Sequence, residues 1–120
     1  MKYDVVITGS TGMVGKGVLL ECLDHNWVEK VLVVNRSSIN LTHPKLKELL
    51  VSDFMDLKNI EDDLKGYNAC FFSLGVSSIG ISKEDYEKIT YELTMHFAKT
   101  FLDKNKDSIF TYVTGAGTDS

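Results

Sequence analysis

Residues Tyr3-Asp4-Val5-Val6-Ile7-Thr8-Gly9-Ser10-Thr11-Gly12-Met13-Val14-Gly15 run from an apolar strand, through glycines at every third position, into a helix. No other segment constrains the fold as much, because each glycine answers a different steric demand. Gly9 permits a tight turn, Gly12 lets a ligand approach the backbone, and Gly15 lets the helix pack close to the strand. The helix directs its unpaired N–H groups back at the loop, where an anion is favoured. Spaced glycines alone carry little weight, and the alternative is a bare βα turn. The readable strand before them and helix after them make Gly9 to Gly15 a phosphate cradle.

The rest of the chain agrees with one α/β domain. With 120 residues, 43% hydrophobic and 25% charged, the composition suits a single globular domain over 1–120 with an ordinary core. A net charge of −4 supplies no basic field for nucleic acid or an anionic membrane, so neither is an expected partner. No apolar run approaches the roughly 20 residues of a membrane span, and Met1-Lys2-Tyr3-Asp4 lacks the apolar region of a signal peptide. A cytoplasmic location is therefore expected. Cys22 and Cys70 sit among apolar neighbours without a Cys-x-x-Cys or metal spacing to His25, His43 or His96, so inert thiols and no metal are expected.

Apolar runs place strands at 3–8, 30–34, 48–52, 68–74 and 108–114, alternating with helical or loop segments. That alternation predicts a doubly wound parallel sheet, a Rossmann architecture of about five strands in the order 3-2-1-4-5. Lys30 to Val34 and Ala69 to Leu74 are nearly continuous apolar runs, as strands buried on both faces should be. From Gly12 to about Asp24, Val14, Val18, Leu19, Cys22 and Leu23 form one apolar helical face. A second helix is expected from Ser82, capped with Asp85 three residues on, its buried stripe running through Tyr86, Ile89, Thr90, Leu93, Phe97 and Phe101. Short helices are expected at Thr42 to Lys47, with Pro44 in the first turn, and at Leu57 to Leu64.

Dinucleotide-binding sheets present their ligand contacts at the carboxyl ends of the strands. At the end of the second strand, where an acid would bond a ribose 2′-hydroxyl, this chain has Asn35-Arg36-Ser37-Ser38. A guanidinium offers a planar fork to a 2′-phosphate, and Ser37 and Ser38 add hydroxyls, so NADP is favoured over NAD; the plainer alternative is an exposed surface arginine. After the third strand, Asp53 either accepts from an adenine amino group, with a neighbouring backbone N–H on a ring nitrogen, or caps the short helix. Gly75, at the end of the fourth strand, lets the chain turn close to a cofactor. Gly9, Arg36, Asp53, Gly75 and Thr114 all map to one edge.

Taken together, Thr8 to Gly15, Asn35-Arg36, Ser52-Asp53-Phe54 and Phe72-Ser73-Leu74-Gly75 resemble the atypical and extended short-chain dehydrogenase/reductases. The chain is similar to their NAD(P)-binding, epimerase-like group, which includes the HIV Tat-interacting protein. The resemblance implies that Gly9, Ser10, Thr11, Gly12, Met13, Val14 and Gly15 cradle the pyrophosphate and that Arg36, beside Asn35, meets the 2′-phosphate. It places Asp53 and Phe54 at the adenine, Leu74 and Gly75 near adenine and ribose, and Thr114 where the family has its catalytic Ser/Thr. The family also uses a Tyr-x-x-x-Lys pair as proton donor and ribose anchor. None is present here: Tyr3, Tyr67, Tyr86, Tyr91 and Tyr112 are followed four places on by Ile7, Phe71, Thr90, Met95 and Ala116.

The expectation is therefore the N-terminal part of a longer NADP(H)-binding oxidoreductase or epimerase-like protein, holding cofactor without efficient catalysis. Alternatives are a nucleotide-sensing regulatory or interaction module and a flavin-binding flavodoxin-like sheet. Lacking the family's later helices, the face beside strands four and five would be uncovered, so a homo-oligomer that covers it is expected.

Overall fold

The computed structural model describes residues 2–9, 13–52, 54–73 and 82–113. Strand β1 (Tyr3–Thr8) leads to helix α1 (Met13–Asp24) and strand β2 (Val28–Asn35). Strand β3 (Leu46–Leu50), a 3-10 helix (Glu61–Leu64), strand β4 (Ala69–Phe72), helix α2 (Lys83–Lys104) and strand β5 (Ile109–Tyr112) follow. All pairings are parallel and the order is β3-β2-β1-β4-β5, the expected doubly wound Rossmann sheet.

Strand alternation sends successive side chains to opposite faces, and each face has its own core. Val5, Ile7, Val31 and Val33 pack with Leu19 and Leu23 of α1. Val6, Leu32, Val34, Cys70 and Phe72 pack with Phe97 and Phe101 of α2 and with Val51, Phe54, Leu57, Ile60 and Leu64. The two helices lie on opposite faces because the β1-to-β2 and β4-to-β5 crossovers run in opposite directions across the sheet and both are right-handed. Phe72 and Phe97 have ring centroids 5.3 Å apart, and Phe54 meets them edge-on or tilted at 6.5 and 6.0 Å.

Several sequence expectations change. Thr42 to Lys47 forms no helix: the Leu46 N–H donates to His43 O at 3.0 Å, and the Val31 N–H takes the Lys45 carbonyl at 2.9 Å. Those bonds start the ladder early, so β3 spans Leu46–Leu50 rather than 48–52. Over Leu57 to Leu64 only Glu61–Leu64 is helical, as one 3-10 turn that seats Leu64 in the α2-side core. The α2 stripe is buried at Phe97 and Phe101, but Ile89 is 38% exposed and Tyr86, Thr90 and Leu93 are half-buried.

The ends of α2 follow the local chemistry. Ser82 Oγ accepts the Asp85 N–H at 3.1 Å, as the sequence predicts. At the other end Asn105, buried and just past the helix, donates from Nδ2 to Leu64 O (2.7 Å) and Phe101 O (3.1 Å). Its Oδ1 accepts the Gly66 and Tyr67 N–H groups at 2.8 and 3.0 Å, tying α2 to the turn that enters β4.

Candidate functional site

The carboxyl ends of the strands meet where β1 and β4 diverge toward opposite crossovers, the switch point at which open α/β sheets form a ligand crevice. Gly9 turns there with φ 68°, a left-handed conformation that favours glycine. A Cβ at this position would lie 2.2 Å from the Ser73 carbonyl oxygen, so β1 and β4 approach too closely for any side chain. The Thr8 hydroxyl donates to Ser73 O at 3.0 Å and accepts the Ser73 N–H at 3.1 Å, extending the pairing past the last ladder residues. Ser10, Thr11 and Gly12 lie outside the described residues. Met13 and Val14 open α1, Gly15 is buried, and the first turn of α1 carries no acid that would compete with an anion.

At the end of β2, Asn35 is buried and its carbonyl accepts the Val51 N–H at 2.8 Å. Arg36 follows as an exposed residue. The loop beyond is tied to β3: Ser38 Oγ donates to Glu48 Oε1 and the Ile39 N–H donates to Glu48 Oε2, both at 2.9 Å. Ser38 Oγ also accepts the Asn40 N–H at 3.1 Å, with Asn40 at φ 53°. The Ser38 proton is thus committed to Glu48, which removes it from the donors expected for a 2′-phosphate; Ser37 is exposed.

Asp53 lies outside the described residues. The Phe54 ring is in the core against Phe72 and Phe97, so only its backbone can face a ligand. Beside it, Leu50, Val51, Ser52, Asp56, Asn59 and Ile60 line a hollow of about 130 Å³ at the end of β3. Leu74, Gly75 and Thr114 are also outside the described residues. The strands that lead to them end side by side, the Val113 N–H donating to Phe72 O at 2.7 Å.

Among the described residues, the groups with displaced proton affinities lie away from this edge. Burial pushes the Cys70 thiol far above its ordinary value inside the α2-side core. Burial and then Glu21 raise Cys22, and burial, Asp4 and Asp63 raise Tyr67, whose ring lies 4.7 Å from Lys30 Nζ. Among the described residues no three His, Cys, Asp or Glu side chains gather as metal ligands. Among the described residues the edge offers polar backbone, a helix N-terminus with no acid in its first turn, and Arg36, groups suited to binding a phosphorylated ligand.

Two apolar surfaces flank β5. On the α1 face, a groove of about 320 Å³ runs between Cys22, Trp27, Ala69, Phe71, Ile109 and Thr111. On the other, Tyr86, Thr90, Tyr91, Thr94, Met95 and Tyr112 line a hollow of about 530 Å³ between α2 and β5. Trp27 is 58% and Ile109 62% exposed, so both rim the groove rather than fill it.

No family model matches the chain. It is 26% identical over 118 residues to the leucinostatins biosynthesis cluster protein T of Purpureocillium lilacinum, covering 94% of this chain and 43% of that protein. Solved structures match over most of its length. The Helicobacter pylori ADP-L-glycero-D-manno-heptose-6-epimerase superposes with a TM-score of 0.72 at 20% identity, covering 97% of this chain and 40% of that one. The fold is one that dehydrogenases and epimerases share. A mutant uronate dehydrogenase from Agrobacterium tumefaciens complexed with NAD gives 0.67 at 17% identity, covering 92% of this chain and 40% of its own. An NADPH-bound carbonyl reductase from chicken fatty liver gives 0.63 at 16%, covering 86% and 48%. The chain thus spans less than half the length of each protein named. Among its described residues no helix is long and apolar enough to cross a membrane.

Proposed function

We propose that residues 1–120 are the NADP(H)-binding Rossmann domain of a short-chain dehydrogenase/reductase-like oxidoreductase or epimerase-like protein, in the cytoplasm. The observation that carries this reading is the Gly9 turn closed onto Ser73 at the switch point, with an exposed Arg36 where an acid would select NAD. Gly9 to Gly15 cradle the pyrophosphate, Arg36 beside Asn35 takes the 2′-phosphate, and Asp53 with the Phe54 backbone meets the adenine. Leu74 and Gly75 pass the ribose, and Thr114 orients substrate. The bound nicotinamide supplies hydride transfer; the residues here bind and orient it.

Isothermal titration with NADPH and NADH tests the reading. NADPH should bind more tightly, and Arg36→Ala should remove about tenfold or more of that preference, the scale of a lost charge-assisted contact. Binding of neither dinucleotide removes the proposal. Binding without turnover, in the longest form of the protein that can be made, would favour a nucleotide-sensing module instead.

The exposed Ile109, Tyr112 and Trp27 support a second proposal, that a second copy of the chain covers the β4–β5 side. Sedimentation equilibrium should show a concentration-dependent dimer that Ile109→Lys dissociates. A monomer at all concentrations overturns it.

A further inference from the structure

We propose that Glu48 is a positioning residue, fixing the loop after β2 so that Arg36 distinguishes a 2′-phosphate from a 2′-hydroxyl. This rests on the NADP(H) reading above.

Glu48 lies on the edge strand β3 opposite Val33 and is half-buried. Each of its oxygens is occupied by one donor from the loop, the Ser38 hydroxyl and the Ile39 N–H, both at 2.9 Å. Ile39, like Leu46 of β3, packs against the α1-side core, so the loop lies back over that face of the sheet. On the other side Asn35 is fixed by the Val51 N–H at 2.8 Å. Only Arg36 and Ser37 bridge these two anchors. A bridge that short cannot move its Cα atoms far, since each residue spans at most about 3.6 Å. The fork of Arg36 is therefore presented from a fixed backbone, which lowers the ordering cost of gripping a phosphate.

Glu48 also carries a charge that would repel a 2′-phosphate, so clamp and charge predict opposite signs for its removal. As a clamp, Glu48→Ala weakens NADPH by about tenfold, the scale of losing charge-assisted hydrogen bonds, and leaves NADH nearly unchanged. Glu48→Gln and Ser38→Ala, which each keep part of the clamp, fall between Glu48→Ala and the unaltered chain. In an Arg36→Ala background Glu48→Ala produces no further change in the NADPH-to-NADH ratio, because the residue acts only through Arg36.

Calorimetric titration of these variants with both dinucleotides decides it, with hydrogen exchange of the Ile39 amide reporting the clamp. A ratio unmoved in Glu48→Ala, or NADPH tightened in both Glu48 variants, overturns the proposal while leaving NADP(H) binding intact. Should Glu48→Ala fail to fold, Ser38→Ala takes its place, a lowered NADPH-to-NADH ratio supporting the clamp and an unmoved one overturning it. If the unaltered chain binds neither dinucleotide, the NADP(H) reading falls first and this proposal with it.

Discussion

One hydroxyl, that of Thr8, both donates to the Ser73 carbonyl and accepts the Ser73 N–H, joining β1 to β4 just beyond the Ile7–Phe71 register pair. Thr8 is fully buried, so water cannot replace it. Thr8→Val, similar in shape, should cost about 1–3 kcal/mol by leaving two backbone groups unsatisfied, while Thr8→Ser should retain most of the stability. Urea unfolding measures both; an unchanged midpoint in Thr8→Val would refute the account.

Two glycines should respond in opposite directions. Gly9→Ala forces a methyl to 2.2 Å from a backbone oxygen at φ 68°, where neither partner can yield without separating β1 from β4. A loss of about 2 kcal/mol or more is expected, together with weaker nucleotide binding. Gly17 lies inside α1 with nothing within 4 Å of a Cβ, so Gly17→Ala should stabilise by about 1 kcal/mol. Thermal unfolding of the pair checks both signs.

Asn105→Ala should destabilise by about 2–4 kcal/mol, because the buried amide satisfies the carbonyls of Leu64 and Phe101 and the N–H groups of Gly66 and Tyr67 at once. Asn105→Asp keeps the size but turns an oxygen toward the two carbonyls. Its loss should be larger at pH 7 than at pH 4, where a protonated carboxyl can donate. Urea midpoints at the two pH values, referenced to the unaltered chain, provide the measurement.

Alkaline pH should unfold the protein through Cys70. Its folded-state pKa is raised by burial above the ordinary 9.0, so the thiol's contribution is complete below about pH 9 and is lost as pH rises and the unfolded chain ionises. Tyr67, also raised, adds to the loss above its ordinary value of 10.0. Stability should fall between pH 9 and 11 more steeply than in a Cys70→Ala variant. Native Cys70 should resist iodoacetamide until urea is added; rapid labelling at pH 8 would contradict its burial.

Much of the fold was legible in sequence because its signals are local. Val5, Val6 and Ile7 form an apolar run that reads as a strand, Ser82 caps its own helix, and Lys30 to Val34 is apolar enough for a central strand. The segment 42–47 misled because Pro44 suits a helix's first turn as well as a tight turn, and the choice was made by bonds to β2. The stripe of α2 was overextended because periodicity reports which side chains share a face, and only packing against the sheet decides how far that face is covered.

The sequence by itself determined the glycine turn at Gly9, the arginine after β2 and the αβ alternation that puts both at one edge. Only the tertiary structure decided that Thr8 and Ser73, 65 positions apart, close that edge, and that Glu48 rather than a phosphate takes the Ser38 proton. The physical reason is range. Backbone preference and side-chain period act over a few residues, whereas a polar group's partner is whichever donor or acceptor the sheet brings within about 3 Å.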